Sequence, residues 1–284
     1  MVARTGPIRP GTAWVCAAFV ALLVLAQPVL AQPAGTQTPT VVSVFPDADE
    51  VPANLLRIYV EFSEPMERGH VDEAVAVLDA GGKPIEGALL SIGREFWSPD
   101  LRRLTLIFDP GRIKSGLAPN RTNGAPLGGA RSFMLKIGTA MRDGDGTPLA
   151  EPFRRSYAIG PDDHEGPDPD GWELEWDRTG AREALHVRFH HPVDVRTARR
   201  TLRIETAGGA PVPARLRIAP DGRSARFVAR APWPPDGSLR LAIHPTLEDP
   251  SGNRVGVSFD MAPGTVATMV HEVRHLPITR PLLP

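Results

Sequence analysis

Five residues near the C-terminus, His271-Glu272-Val273-Arg274-His275, have the types and spacing of a zinc hydrolase. On a helix, histidines four positions apart face one metal while the glutamate activates the water bound to it. The flanks oppose that arrangement. Pro263 precedes the motif by eight residues, Pro277 follows it by two, and the nine residues after His275 include no His, Asp, Glu or Cys to act as a third ligand. Only more distant histidines such as His190, His191 and His244 remain to complete a site through space. Alternating valine and charged residues instead predict an edge strand or tail over 268–278, with 268–276 extended or irregular. On a strand, positions four apart lie about 13 Å from one another at about 3.3 Å per residue. Imidazoles so placed do not converge on one zinc at bonds of about 2.1 Å. No catalytic, cofactor-binding or metal-ligating residue is therefore assigned, and no cofactor is expected.

Other candidates carry less. Asp143-Gly144-Asp145-Gly146-Thr147 opens like a calcium loop, but the twelfth position, where a bidentate glutamate belongs, is Arg154. A hairpin turn accounts for it, because Asp and Gly supply turn geometry without metal. The acidic, proline-bearing run Asp162-Asp163-His164-Glu165-Gly166-Pro167-Asp168-Pro169-Asp170 reads as a semi-rigid solvated linker. Trp97, Trp172, Trp176 and Trp233 could stack on sugar rings, although core packing is the commoner fate of tryptophan. There is no Gly-x-Ser-x-Gly, phosphate loop or dinucleotide fingerprint.

The elements that would position such residues come in two copies. At an offset of 127, Phe62-Ser63-Glu64-Pro65-Met66 maps onto Phe189-His190-His191-Pro192-Val193, and Gly81-Gly82-Lys83-Pro84-Ile85 onto Gly208-Gly209-Ala210-Pro211-Val212. Ile58, Val60, Val75 and Val77 match Leu185, Val187, Leu202 and Ile204. Two further pairs of turns match at offsets of 121 and 106, so the first copy holds extra residues, placed in the loop from Gly111 to Ala130. Period-two alternation in Leu56–Phe62, Leu104–Phe108, Leu185–Phe189 and Leu239–Ile243 predicts strands with one buried face. Thirty-one prolines and 27 glycines argue against long helices. Short strands and frequent turns describe an all-β chain of two tandem immunoglobulin-like Greek-key β-sandwiches.

Ahead of the repeat lies an address. Arg4 and Arg9, an apolar run from Ala13 to Ala26, and Val29 and Ala31 before a cut have the order of a secretory signal peptide over 1–31. The run is short for a membrane span, which needs about 20 residues. Cleavage after Ala31 removes Cys16, the one cysteine, so stability must come from packing rather than disulfides. Loss of Arg4 and Arg9 takes the 32 Lys and Arg to 30 against 33 Asp and Glu, a charge of −3. That near balance gives no electrostatic case for nucleic acid or an anionic membrane. Lysine is confined to Lys83, Lys114 and Lys136, which fits the coding bias of a GC-rich bacterium.

Val44-Phe45-Pro46-Asp47-Ala48, then Val51-Pro52, then a strand closing in Phe62-Ser63-Glu64-Pro65-Met66, resembles the start of a bacterial Ig-like domain of surface-layer and other exported proteins. The family's closing turn is matched by Leu247-Glu248-Asp249-Pro250-Ser251-Gly252-Asn253. The resemblance covers 40–160 directly and 161–262 through the repeat, where His190-His191-Pro192-Val193 replaces Ser-Glu-Pro-Met. It implies a spacer or adhesive module with no catalytic residue. The expected organisation is a signal peptide (1–31), two Ig-like domains (40–160 and 161–262) and a C-terminal strand or tail (263–284). The expected role is a noncatalytic structural or protein-interaction module, exported to the periplasm or beyond, whose partner is an envelope protein or polysaccharide. A carbohydrate-binding module using exposed tryptophans and a zinc-dependent hydrolase through His271 and His275 are the alternatives.

Overall fold

Alternating sequence becomes paired strand throughout a computed structural model that describes residues 1–2, 38–177, 183–234, 238–261 and 271–279. The expected signal peptide lies, apart from Met1 and Val2, outside the described residues. Residues 37–284 cluster as one compact unit. The first copy supplies β1 (Val41–Phe45), β2 (Glu50–Pro52), β3 (Arg57–Phe62), β4 (Val75–Asp79), β5 (Phe96–Trp97), β6 (Arg103–Ile107), β7 (Ser132–Ile137) and β8 (Phe153–Gly160). The second supplies β9 (Glu173–Asp177), β10 (Ala184–Arg188), β11 (Leu202–Thr206), β12 (Pro211–Val212), β13 (Ala214–Ile218), β14 (Ser224–Ala229), β15 (Ser238–Ile243) and β16 (Arg274–Thr279).

Strand order repeats with the sequence. One sheet of the first copy runs β1-β3-β6-β5 and its counterpart runs β9-β10-β14-β13. The other pair runs β4-β7-β8-β2 and β12-β11-β15-β16. In immunoglobulin lettering the shared framework is ABED against CFG, the Greek-key arrangement expected from the sequence. The chain is all-β in class, with only short helices among the described residues.

Each copy closes its two sheets over its own core. Ile58, Val60, Leu104 and Leu106 from one sheet meet Val77, Leu135, Ile137 and Tyr157 from the other. Leu185, Val187 and Phe227 meet Leu202, Ile204, Leu241 and Ile278 in the second core. The matched turns have matched chemistry. Asp79 Oδ1 accepts from the N–H groups of Gly81 and Lys83, and Thr206 Oγ1 accepts from that of Ala210. Gly82 and Gly209 then take φ of 79° and 85°, a conformation glycine adopts without strain.

Two departures from the repeat matter. Between β6 and β7 the first copy inserts α1 (Pro110–Ile113) and α2 (Ala118–Asn123), in the region where the extra residues were expected. Buried Arg112 organises this insertion by donating to the carbonyls of Glu86, Gly87, Asn123 and Gly124. Just before β11 the second copy lengthens into α3 (Val195–Thr201) the single uncapped turn Val71–Ala74 that precedes β4, and caps it with Asp194, whose Oδ1 accepts from the N–H groups of Arg196 and Thr197.

Candidate functional site at the junction of the sandwiches

None of the chemistry suggested by the sequence motifs assembles where the motifs stand. In the zinc-hydrolase motif, residues 271–273 are irregular and Arg274 and His275 begin β16, paired along β15 from Ile243↔Arg274 to Ser238↔Thr279. His275 Nε2 sits 3.4 Å from Glu205, a carboxylate that also takes Arg240 at 3.1 Å. Only the end of the motif is strand, β16 lying at a sheet edge beside β15 as β8 lies beside β7, and 271–275 form no helix. Residues 268–270 lie outside the described residues. Nor do the distant histidines join it: His190 Nδ1 donates to the Gly171 carbonyl at 2.7 Å, and His244 Nδ1 pairs with the Thr246 hydroxyl at 2.7 Å.

The remaining motifs are absorbed by packing. Asp143 spends its Oδ1 on the N–H groups of Asp145 and Thr147, closing a turn. The four tryptophans are buried or half-buried rather than exposed, which removes the sugar-stacking platform. Trp97 packs on Phe62, Trp172 on Phe189 at 4.6 Å, and Trp176 edge-on against Trp233 at 5.1 Å. Their indole N–H groups are also used, on Glu95, Thr279 and Glu183 for Trp97, Trp176 and Trp233. The acidic run departs from a solvated linker near its start. Asp163 exchanges hydrogen bonds with the Asn54 side chain and accepts from Asn253 Nδ2 at 2.9 Å, tying the crossover to both copies.

That tie belongs to a polar junction which no single motif announces. Main chain crosses it directly: Leu56 N–H donates to Pro250 O at 3.0 Å and Asp47 N–H to Pro220 O at 3.2 Å. Side chains cross it as well. Tyr59 Oη donates to Asp194 Oδ2 at 2.7 Å, Ser251 Oγ donates to Asn54 Oδ1 at 3.0 Å, and Glu248 accepts Arg57 from the first copy and Arg254 from its own. Asp194, Glu248, Asp249, Ser251 and Asn253 are all buried, and no buried side-chain polar atom among the described residues lacks a partner. Burial in a fully satisfied network is the condition under which such groups rigidify rather than destabilise. The closing turn is the keystone. Gly252 has φ of 84°, and a Cβ there would come within 2.4 Å of Leu56 Cδ2. Phe259 beyond it packs on the first core, and Asp260 accepts from both the N–H and hydroxyl of Ser115.

Electrostatics follow from that burial. Burial pushes the Asp249 carboxyl up to about 8, against the pull of Asn253 and with help from the nearby charge of Asp163. Burial likewise raises Asp194, against its N–H donors and Tyr59. The Tyr59 hydroxyl is raised by burial and by the charge of Asp194, so it serves as a hydrogen-bond donor.

Above the network the two copies enclose a cleft of about 850 Å³. Its walls are the β3-β6-β5 face and the 94–99 segment of the first copy, and α3, the start of β11 and the 244–248 loop of the second. Eight arginines line it against two carboxylates, Glu95 and Glu248. Sequence reasoning missed this concentration because its members are scattered from Arg57 to Arg254 and the overall charge is near balance.

Comparison with known proteins assigns no family. No family model matches the chain, and no curated protein matches it. Among solved structures, native alpha-2-macroglobulin from Escherichia coli, spanning domains MG0-NIE-MG1, aligns at TM-score 0.28 and 11% identity over 60% of this chain and 45% of that one. The S-layer protein rSbsC(31-844) aligns at TM-score 0.28 and 10% identity over 87% of this chain and 41% of that one. The chain spans less than half the length of either structure, and likenesses of this size carry no functional argument.

Proposed function

We propose that this protein is a noncatalytic, exported module of the bacterial envelope, in which two Ig-like sandwiches joined as one body act as a structural or protein-interaction element. The observation that carries this reading is the junction. Main-chain and buried side-chain hydrogen bonds run directly between the copies, an investment suited to holding two binding or spacing surfaces at a fixed angle. Flexible connection is the default between domains that share only a small interface. The signal-peptide pattern of charged, apolar and small residues over 1–31 supports export.

Two measurements test this reading. The protein recovered from its native envelope fraction is expected to begin at or near Gln32, because Ala31 is the last small residue before the Pro-rich leader of the first sandwich. Recovery of an intact Met1 from membranes would remove the export half. Metal analysis addresses the other half: purified protein is expected to contain no stoichiometric zinc, since 274–276 is strand and His275 faces Glu205. Stoichiometric zinc that disappears in His271→Ala would reinstate the hydrolase.

A further inference from the structure

We infer that the cleft between the sandwiches is a binding site for a compact polyanion, a polar molecule bearing phosphate or carboxylate groups a few ångströms apart. Some charges in the cleft are already paired. Glu248 is held by Arg57 and Arg254, and Arg103 pairs with Glu61. Glu95 accepts from the N–H groups of Gly69, Val71 and Trp97. Those donors outweigh the effect of its burial and hold its carboxyl below the ordinary range. Arg68, Arg94, Arg196, Arg200 and Arg203 have no carboxylate within ion-pair distance among the described residues, yet all five line one concavity. A cleft lined by one sign of charge focuses the field and concentrates ions of the opposite sign. At Arg196, burial and then the neighbouring Arg103 and Arg199 lower the guanidinium pKa, offset only in part by Glu61.

Ligand class follows from the donors. Guanidinium groups present planar forks that match carboxylate and phosphate oxygens. Threonines 105, 201 and 246 add hydroxyls, and the volume of about 850 Å³ falls within the usual range for small-molecule sites. The cleft has no deep apolar pocket: Trp97 is packed on Phe62, and Phe96 lies under Arg94. Peptide side chains would find little to bury there, so a small or sugar-like polyanion fits better than an acidic peptide. This site is independent of whether the protein is a spacer, since a spacer could bind such a ligand or not.

Calorimetric titration of the purified protein in 0.15 M salt, with tripolyphosphate and with trigalacturonate as separate probes, tests the inference. Saturable 1:1 binding is expected for at least one probe. Binding of tripolyphosphate alone identifies a phosphate ligand, of trigalacturonate alone a uronate, and of both the shared oxyanion chemistry. Arg196→Ala/Arg200→Ala is expected to weaken binding at least tenfold, whereas Arg215→Ala/Arg217→Ala on exposed β13, outside the cleft, should bind like the parent. Should the first variant fail to fold, Arg68→Ala/Arg94→Ala, two exposed arginines on the opposite wall, replaces it. Absence of saturable binding to either probe, equal losses in cleft and control variants, or tighter binding of hexaglutamate than of both probes would overturn the inference.

Discussion

Stability is expected to fall as pH rises from about 4 to about 8, the reverse of the trend set by ordinary paired carboxylates. Asp249 ionises near 3.8 in an unfolded chain and near 8 in the junction, where burial disfavours its charge. A carboxyl that holds its proton more tightly in the folded state contributes fully below the unfolded value, and the contribution drains away as pH climbs to the folded value. The slope for one such group reaches about 1.4 kcal/mol per pH unit. Asp194 is shifted in the same direction and adds to the effect. Glu95 and Asp100, held below their usual values of 4.5 and 3.8, act with the opposite sign but below the pH 5 to 8 range of the measurement. Urea denaturation at pH 5, 6.5 and 8 measures the trend. Asp249→Asn is expected to flatten it and to lower stability at pH 5, because an amide there would set one donor against Asn253 Nδ2. A parent profile that is flat or rises across the window contradicts the assignment of a protonated junction carboxyl.

Truncating either of the repeat's paired phenylalanines should cost about 3 to 5 kcal/mol, as for buried aromatics generally. Phe62 closes β3 and packs on Trp97 at 5.7 Å; Phe189 follows β10 and packs on Trp172 at 4.6 Å. Each is 3% exposed. Because the cores are joined through the junction, Phe62→Ala and Phe189→Ala should each lower a single shared melting transition rather than release one sandwich at a time. If both variants melt like the parent, the two positions are not equivalent core sites.

How far the sequence carried can be judged from particular residues. Strands with one buried face were readable, since period-two alternation at Leu185, Val187 and Phe189 is a local property that pairing does not alter. The ungapped offset of 127 likewise placed β3 opposite β10 and β4 opposite β11 in the two frameworks. The last strand was legible as an edge strand but not as the partner of β15, because its pairing spans a long connection. The junction was hidden for a different reason. Asn54, Tyr59, Asp194 and Ser251 are unremarkable where they stand, and acquire meaning only when segments more than 100 residues apart meet. The acidic crossover reads from its charges as a semi-rigid solvated linker, and its main-chain bonds to Asn54 at Asp163 were hidden for the same reason.

Distance measurement between the copies is the most direct test of the joined-body claim. Replacing Cys16 by serine leaves a chain free of cysteine, and Val42→Cys on β1 with Arg217→Cys on β13 places one spin label at an exposed position on each sandwich. Pulsed electron–electron resonance is expected to give a single narrow distance distribution, unchanged between pH 5 and 7. A broad or multi-peaked distribution would mean that the sandwiches swing about the crossover, and would contradict the account.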